Sequence, residues 1–374
     1  MEDNMTDETE ETPNKSHYEL LLRCAQKEDF SEWNDFVSIS DDVIKLRGAD
    51  LSGLTLTSIL LTNKKGKGAD LYAANLENSK IDTIDFSKVH LSKVNFRNAK
   101  ISNCLFSEST CIKTNFTSAT FVLVNFSRAN LHQADFRNTE FYECDFYEAL
   151  FTMANVESAK FMGGGRNPFL KKEQRRNMCG ASFNRAKFNN ATYFDLFNIS
   201  KNTDFRSSTF ENSTFSCGLK QSLQYCNRRH NWIDWYRDQG HLKSFLVRTF
   251  WLHSDYGRSA RHVIYAFLIA SIFFASIYFL FPGLIKGLGT HEPVQSLYFS
   301  IVTMTTLGYG DMSASLGSWT AQCVIIAQVL YGYVLLGALV SLLANIFIAD
   351  GPPRGLIKHP VPPVKIMIKT IKSI

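Results

Sequence analysis

Hydrophobic residues follow two different rhythms along this chain. From Leu71 to Phe161 every fifth residue is apolar, nineteen positions comprising eleven Phe, four Leu, two Ile, one Val and Cys111. The residue two places earlier is small or aliphatic, as at Ala69, Ala74, Ala99, Ala119, Ala129, Ala134, Ala149, Ala154 and Ala159. The residue between them is usually polar, as in Ala69-Asp70-Leu71 and Ala134-Asp135-Phe136. The register begins at Ala49-Asp50-Leu51, and Leu56 and Leu61 continue it up to a glycine- and lysine-rich interruption at 62–68. A period of five matches neither a helix nor a strand. It predicts a chain that turns a corner every five residues, with one large and one small side chain pointing inward on each side. After Gly163-Gly164-Gly165 comes a basic loop with Lys171, Lys172, Arg175 and Arg176. The pattern then resumes at Phe183, Phe188 and Tyr193 and, after a slip, at Phe205, Phe210 and Phe215. Residues 163–179 therefore read as an insertion in one solenoid spanning 49–218.

The second rhythm is unbroken apolarity. Residues 263–281 and 319–348 are each long enough to cross a hydrocarbon core, which takes about 20 residues of helix. The loop between them holds an amphipathic stretch that predicts a helix over 293–305, followed by Thr306-Leu307-Gly308-Tyr309-Gly310-Asp311. Residues 262–349 thus form a second domain, all-α with two spans. Lysine and arginine crowd its flanks, with seven in 228–261 and five in the tail 350–374, against Lys286 alone in 283–318. This asymmetry puts both termini on the cytoplasmic side of a cell membrane, plasma or inner. The remaining segments read as a disordered acidic tail (1–16), a helical cap (17–48) with Leu20, Leu21, Leu22, Trp33 and Phe36, and a juxtamembrane linker (219–261). In that linker Trp232, Trp235, Phe250 and Trp251 sit among basic residues. Two placements fit it equally: on the cytoplasmic membrane face with aromatics at headgroup level, or packed on the solenoid end. Residues 364–374 alternate apolar residues with lysine, which suits a membrane surface or a frayed end.

The five-residue motif resembles the pentapeptide-repeat family, which implies a right-handed quadrilateral β-helix. In that family four repeats make a coil and coils stack at about 4.8 Å. Nineteen repeats would make nearly five coils with a phenylalanine-rich core.

Thr306-Leu307-Gly308-Tyr309-Gly310, set between two spans, resembles the selectivity filter of potassium channels. The resemblance implies that backbone carbonyls of Thr306, Leu307, Gly308 and Tyr309 replace the water of a permeating potassium ion. Gly308 and Gly310 would allow the backbone angles this needs. Leu307 and Tyr309 would point away from the pore, with Tyr298 and Phe299 forming a cuff behind Tyr309, and Thr305 and Asp311 supporting the ends. It also implies a homotetramer embedded in a lipid bilayer, each chain supplying one filter segment. Gly332 and Gly337 interrupt the second span, where either a gating hinge or close helix packing would account for them. Two positions depart from the common pattern. Leu307 replaces the usual valine. Val302 stands where some members carry a carboxylate that pairs with the aspartate after the filter, which would leave Asp311 without that partner.

Charge and chemistry narrow the alternatives. The chain carries a net charge of +5, but residues 49–161 hold 12 basic and 12 acidic side chains. That balance argues against the acidic, DNA-like surface of some pentapeptide proteins, so no nucleic-acid partner or mimicry is expected. Cys104, Cys111 and Cys144 fall at inward positions and read as core residues. Cys217, Cys226 and His230 match no strong metal motif. No nucleophile elbow, phosphate-cradling loop or zinc signature points to an enzyme, and no organic cofactor is implied; potassium is the permeant species. Two other readings are a membrane-tethered scaffold with a closed pore, binding a partner through Glu140, Glu143, Asp145 and Glu148, and a weakly selective cation channel.

Overall fold

The computed structural model describes residues 12–163, 177–315, 317–348 and 351–359. The acidic tail up to residue 11, most of the basic insertion, and residues 364–374 lie outside these. The described residues form two compact units. One runs to His230 and takes in residues 353–359; the other is Asn231–Pro352.

The first unit is a β-solenoid. Its strands are β1 (Thr55–Thr57), β2 (Lys80–Asp82), β3 (Lys100–Ser102), β4 (Thr120–Val122), β5 (Glu140–Tyr142), β6 (Lys160–Met162), β7 (Tyr193–Phe194) and β8 (Thr214–Phe215). They form one parallel ladder in chain order. Ile81, Ile101, Phe121, Phe141 and Phe161 stack in register, so each coil takes twenty residues, four repeats of five. The register absorbs the irregularities seen in the sequence: Leu56 pairs with Ile81 across the 62–68 interruption, and Phe161 with Phe194 across the basic insertion.

Each corner is a tight turn. At the repeat around Leu71, the Ala74 amide donates to the Leu71 carbonyl at 2.9 Å and Ala73 has φ of 57°. The same left-handed residue recurs every fifth position from Ala73 to Ser158. A left-handed non-glycine residue costs roughly 1–2 kcal/mol. Ladder bonds to the next coil and complete burial of the inward residue offset that cost. Phe86, Phe106, Phe126 and Phe146 form one stack with ring centroids 4.7, 5.0 and 5.8 Å apart. Phe121, Phe141, Phe161, Phe194 and Phe215 form another at 4.4–5.3 Å.

Both open ends are covered. Helices α1 (Lys15–Lys27) and α2 (Ser31–Ile39) bury Leu21, Cys24, Trp33 and Val37 against the first coils, and the Trp33 indole donates to the Leu60 carbonyl. At the other end the start of α3 (Leu219–Asp238) places Leu219, Leu223 and Cys226 in the same core.

The second unit contains α4 (His241–His253), α5 (Ala260–Leu280), α6 (Pro293–Met304) and α7 (Trp319–Ile348). Helices α5 and α7 are long and apolar enough to cross a bilayer. Pro293 opens α6 at a position where its missing amide costs nothing. A short antiparallel pair, β9 (Ile285–Lys286) with β10 (Ser313–Ala314), closes the loop around α6 and the segment after it. Trp232, Trp235, Tyr236, Trp251 and Tyr256 pack on one another within this unit.

Candidate functional site

Helix α6 ends in a two-bond turn. The Thr306 amide donates to the Thr303 carbonyl and the Leu307 amide to Val302, both at 3.1 Å, while Thr306 has φ of 59°. This is the pattern that usually places glycine in the left-handed position past a helix end. Here it holds a threonine, a β-branched residue for which positive φ is uncommon. Beyond it Gly308 has φ of 50° and Gly310 of 84°, whereas Leu307 and Tyr309 keep negative φ. Left-handed backbone therefore recurs at every second residue, 306, 308 and 310. Alternating backbone handedness turns successive carbonyls toward one side, the arrangement a row of carbonyl ligands needs. No local sequence signal marks the left-handed conformation of Thr306.

The supporting residues divide. Thr305 turns its hydroxyl back onto the Ile301 carbonyl at 2.9 Å. Tyr298 lies near enough to the Asp311 carboxylate to feel its charge. Asp311 thus has a neighbour from α6 despite Val302. Phe299 faces the other way, buried edge-on against Tyr278 with centroids 5.1 Å apart. Tyr298 and Phe299 therefore do not form one cuff within this chain. Leu307 and Tyr309 are 61% and 68% exposed, so within one chain little packs behind the segment.

A polar network that the sequence reading passed over holds α6 in place. The Tyr278 hydroxyl donates to Oε1 of Gln328. The Gln328 amide donates to the Ser300 carbonyl at 3.0 Å and to its Oγ at 2.8 Å. Ser300 Oγ in turn donates to the Ser271 carbonyl at 2.8 Å. All four residues are buried, and together they join α5, α6 and α7. The available signal was Gln328 itself, an amide deep inside an apolar span, where polar side chains are costly unless partnered. One turn further along α7, a Cβ on Gly332 would lie 2.4 Å from the Met304 carbonyl, whereas one on Gly337 would meet nothing within 4 Å. Gly332 thus lets α7 touch the backbone of the last turn of α6. Next to it Tyr331 meets α4. The Thr249 carbonyl can only accept, so His253 Nδ1 donates to it, and in the neutral ring Nε2 then accepts from the Tyr331 hydroxyl at 2.9 Å.

Comparison with known proteins agrees with this reading of both units. Residues 266–349 match the family model described as ion channel, and residues 69–108 and 125–163 match pentapeptide repeats in eight copies. The chain joins a segment similar to ion-channel pore domains to a solenoid similar to pentapeptide-repeat proteins. The chain is similar to two-pore potassium channel 5 of Arabidopsis thaliana, 38% identical over 85 residues, or 23% of this chain and 20% of the relative. It is also similar to two-pore potassium channel 1 of the same plant, 35% identical over 94 residues and 25% of each chain. The chain therefore spans about a fifth to a quarter of the length of these curated relatives. Among solved structures, a pentapeptide repeat protein of the Arabidopsis thaliana thylakoid lumen aligns at 21% identity over 33% of this chain and 72% of that one, with a TM-score of 0.21. The plasmid-mediated fluoroquinolone resistance protein QnrB1 aligns at 17% identity over 47% and 82%, with a TM-score of 0.24. The matched families are channel and repeat families, not enzyme families.

Proposed function

We propose that this chain is one subunit of a homotetrameric, potassium-selective channel of the plasma or inner membrane, with both termini cytoplasmic and a regulatory or assembly role for the solenoid. The observation that carries the reading is the alternation of left-handed backbone at Thr306, Gly308 and Gly310 between two helices long enough to span. Carbonyls of Thr306, Leu307, Gly308 and Tyr309 would replace the hydration shell of a dehydrated potassium ion. The exposed Leu307 and Tyr309, and an outward α7 face bearing Leu330, Tyr333, Val340 and Phe347, support assembly, since neighbouring copies would cover what lipid and the pore do not. Conduction is passive, each ion moving between adjacent carbonyl sites.

The test is the reversal potential of the purified protein in a planar bilayer, with potassium on one side and sodium on the other. A strongly potassium-selective value is expected. A value near zero would mean a pore that conducts without discrimination, with Leu307→Val the first variant to make. A silent protein under every condition would favour the tethered scaffold.

A further inference from the structure

The chain leaves the solenoid for the helical unit at Gly218-Leu219, where α3 begins, and the residues that follow α7 come back to the same place. The Arg354 amide donates to the Gly218 carbonyl at 2.9 Å. The Ile199 amide donates to the Gly355 carbonyl at 2.7 Å, and the Ile357 amide returns a bond to the Ile199 carbonyl at 2.9 Å. Leu356 is thereby paired with Ile199 as an added parallel bridge and packs on the solenoid core. Gly355 is built for the contact. Its φ is +86°, and a Cβ there would lie 2.6 Å from the Phe197 carbonyl and 2.9 Å from the Leu219 side chain. The segment 354–357 thus adds a short strand to the last coils, satisfying backbone groups that an open edge would leave unpaired.

From Ile348, the last residue of α7, to Arg354 is six residue steps, which reach at most about 20 Å. We propose that residues 354–357 are a clamp that ties the end of α7 to the solenoid, cinching the entry and the exit of the pore segment at one spot and restraining its opening. The inference rests on the channel reading. A pore state that carries the end of α7 beyond the reach of the connector requires the clamp to break. The solenoid then acts on both ends of the pore segment at once, through α3 and through this strand.

The experiment uses the full-length channel in planar bilayers, with hydrogen exchange at the Ile199 and Ile357 amides read on the same preparations. Leu356→Asp buries a charge against the core, and Gly355→Ala strains the turn without adding one. Both should lose protection at the two amides and raise open probability about fivefold or more, a typical coupling between sites, with the reversal potential unchanged. In the opposite sense, a channel carrying both Ile199→Cys and Leu356→Cys should form a disulfide, since neighbouring strands sit about 4.8 Å apart, within the Cα range a disulfide spans. Oxidation should then lower open probability, and reduction should restore it. Unchanged open probability in variants whose amides have lost protection would overturn the clamp, as would unprotected amides in the parent protein, while the channel reading stands. Absence of any potassium-selective current from the parent protein fails at the earlier step and removes the channel reading itself.

Discussion

At Gly332 a single hydrogen decides how closely two helices meet. The Met304 carbonyl occupies the space that a Cβ would need, so Gly332→Ala must push α7 away from the end of α6. Overpacking of this kind costs about 1–3 kcal/mol, and the variant should lower the melting temperature of the assembled protein. Gly337→Ala meets open space and should leave it unchanged or slightly higher, since alanine favours a helix interior over glycine by up to about 1 kcal/mol. Removing the Gln328 amide in Gln328→Leu strands the Tyr278 hydroxyl in a buried site, while Ser300 Oγ keeps its bond to the Ser271 carbonyl. A stranded buried hydroxyl costs about 1–3 kcal/mol, so the variant should melt below the parent protein and should loosen α6 ahead of Thr306–Gly310. At Gly308, φ of +50° is accessible to glycine at little cost. Gly308→Ala should lose the preference for potassium over sodium, measured as a shift of the reversal potential toward zero; an unshifted value would remove the carbonyl row as the source of selectivity.

At the level of the repeat, the inward residue carries the coil. Phe141 stacks on Phe121 and Phe161 and is fully buried. Phe141→Ala should cost about 3–5 kcal/mol, read as a lower unfolding midpoint of the solenoid with exchange protection lost first in β4 to β6. A second element-scale prediction concerns acid. Burial would raise the Asp70 carboxyl, but hydrogen bonds from His90, Arg47 and the Tyr72 amide outweigh it and hold it at about 2, below the usual 3.8. A folded-state pKa below the unfolded one stabilises the fold above the unfolded value, and that contribution is lost as pH falls through the folded value. The solenoid should therefore lose about 1–2 kcal/mol between pH 4 and pH 2 from this group, and Asp70→Asn should flatten the decline. The turns behind this stability could be read directly, because a strict period of five admits only a corner at each repeat. Their left-handed residues could not: Lys88, Glu108 and Met153 adopt the same φ as Asn78, since stacking of coils, not local preference, imposes it.

For the whole molecule, regulation is the open question that the covalent path frames. Removing residues 1–215 takes away Ile199, which pairs with the returning strand on both sides of Leu356, though it leaves Gly218; it should change open probability while leaving the reversal potential alone, and unchanged gating would mean that the solenoid serves assembly only. Both layers, the solenoid and the pair of spanning helices, were legible from periodicity and from length and apolarity. These are properties of consecutive residues, and hydrophobic burial acts on them wherever the chain goes. The segment Thr305–Gly310, which we propose as the filter, stands out in the sequence for the same reason, as its glycines and threonines lie side by side. Contacts between residues far apart in the chain were not. Tyr298 beside Asp311, Gln328 between Tyr278 and Ser300, Gly332 against Met304, and Gly355 against Phe197 each depend on where two elements meet. A lone glutamine or glycine in a helix carries no mark of its partner. Local patterning sets which side chains must be buried, whereas shape and hydrogen-bond matching between packed elements select the residues they meet.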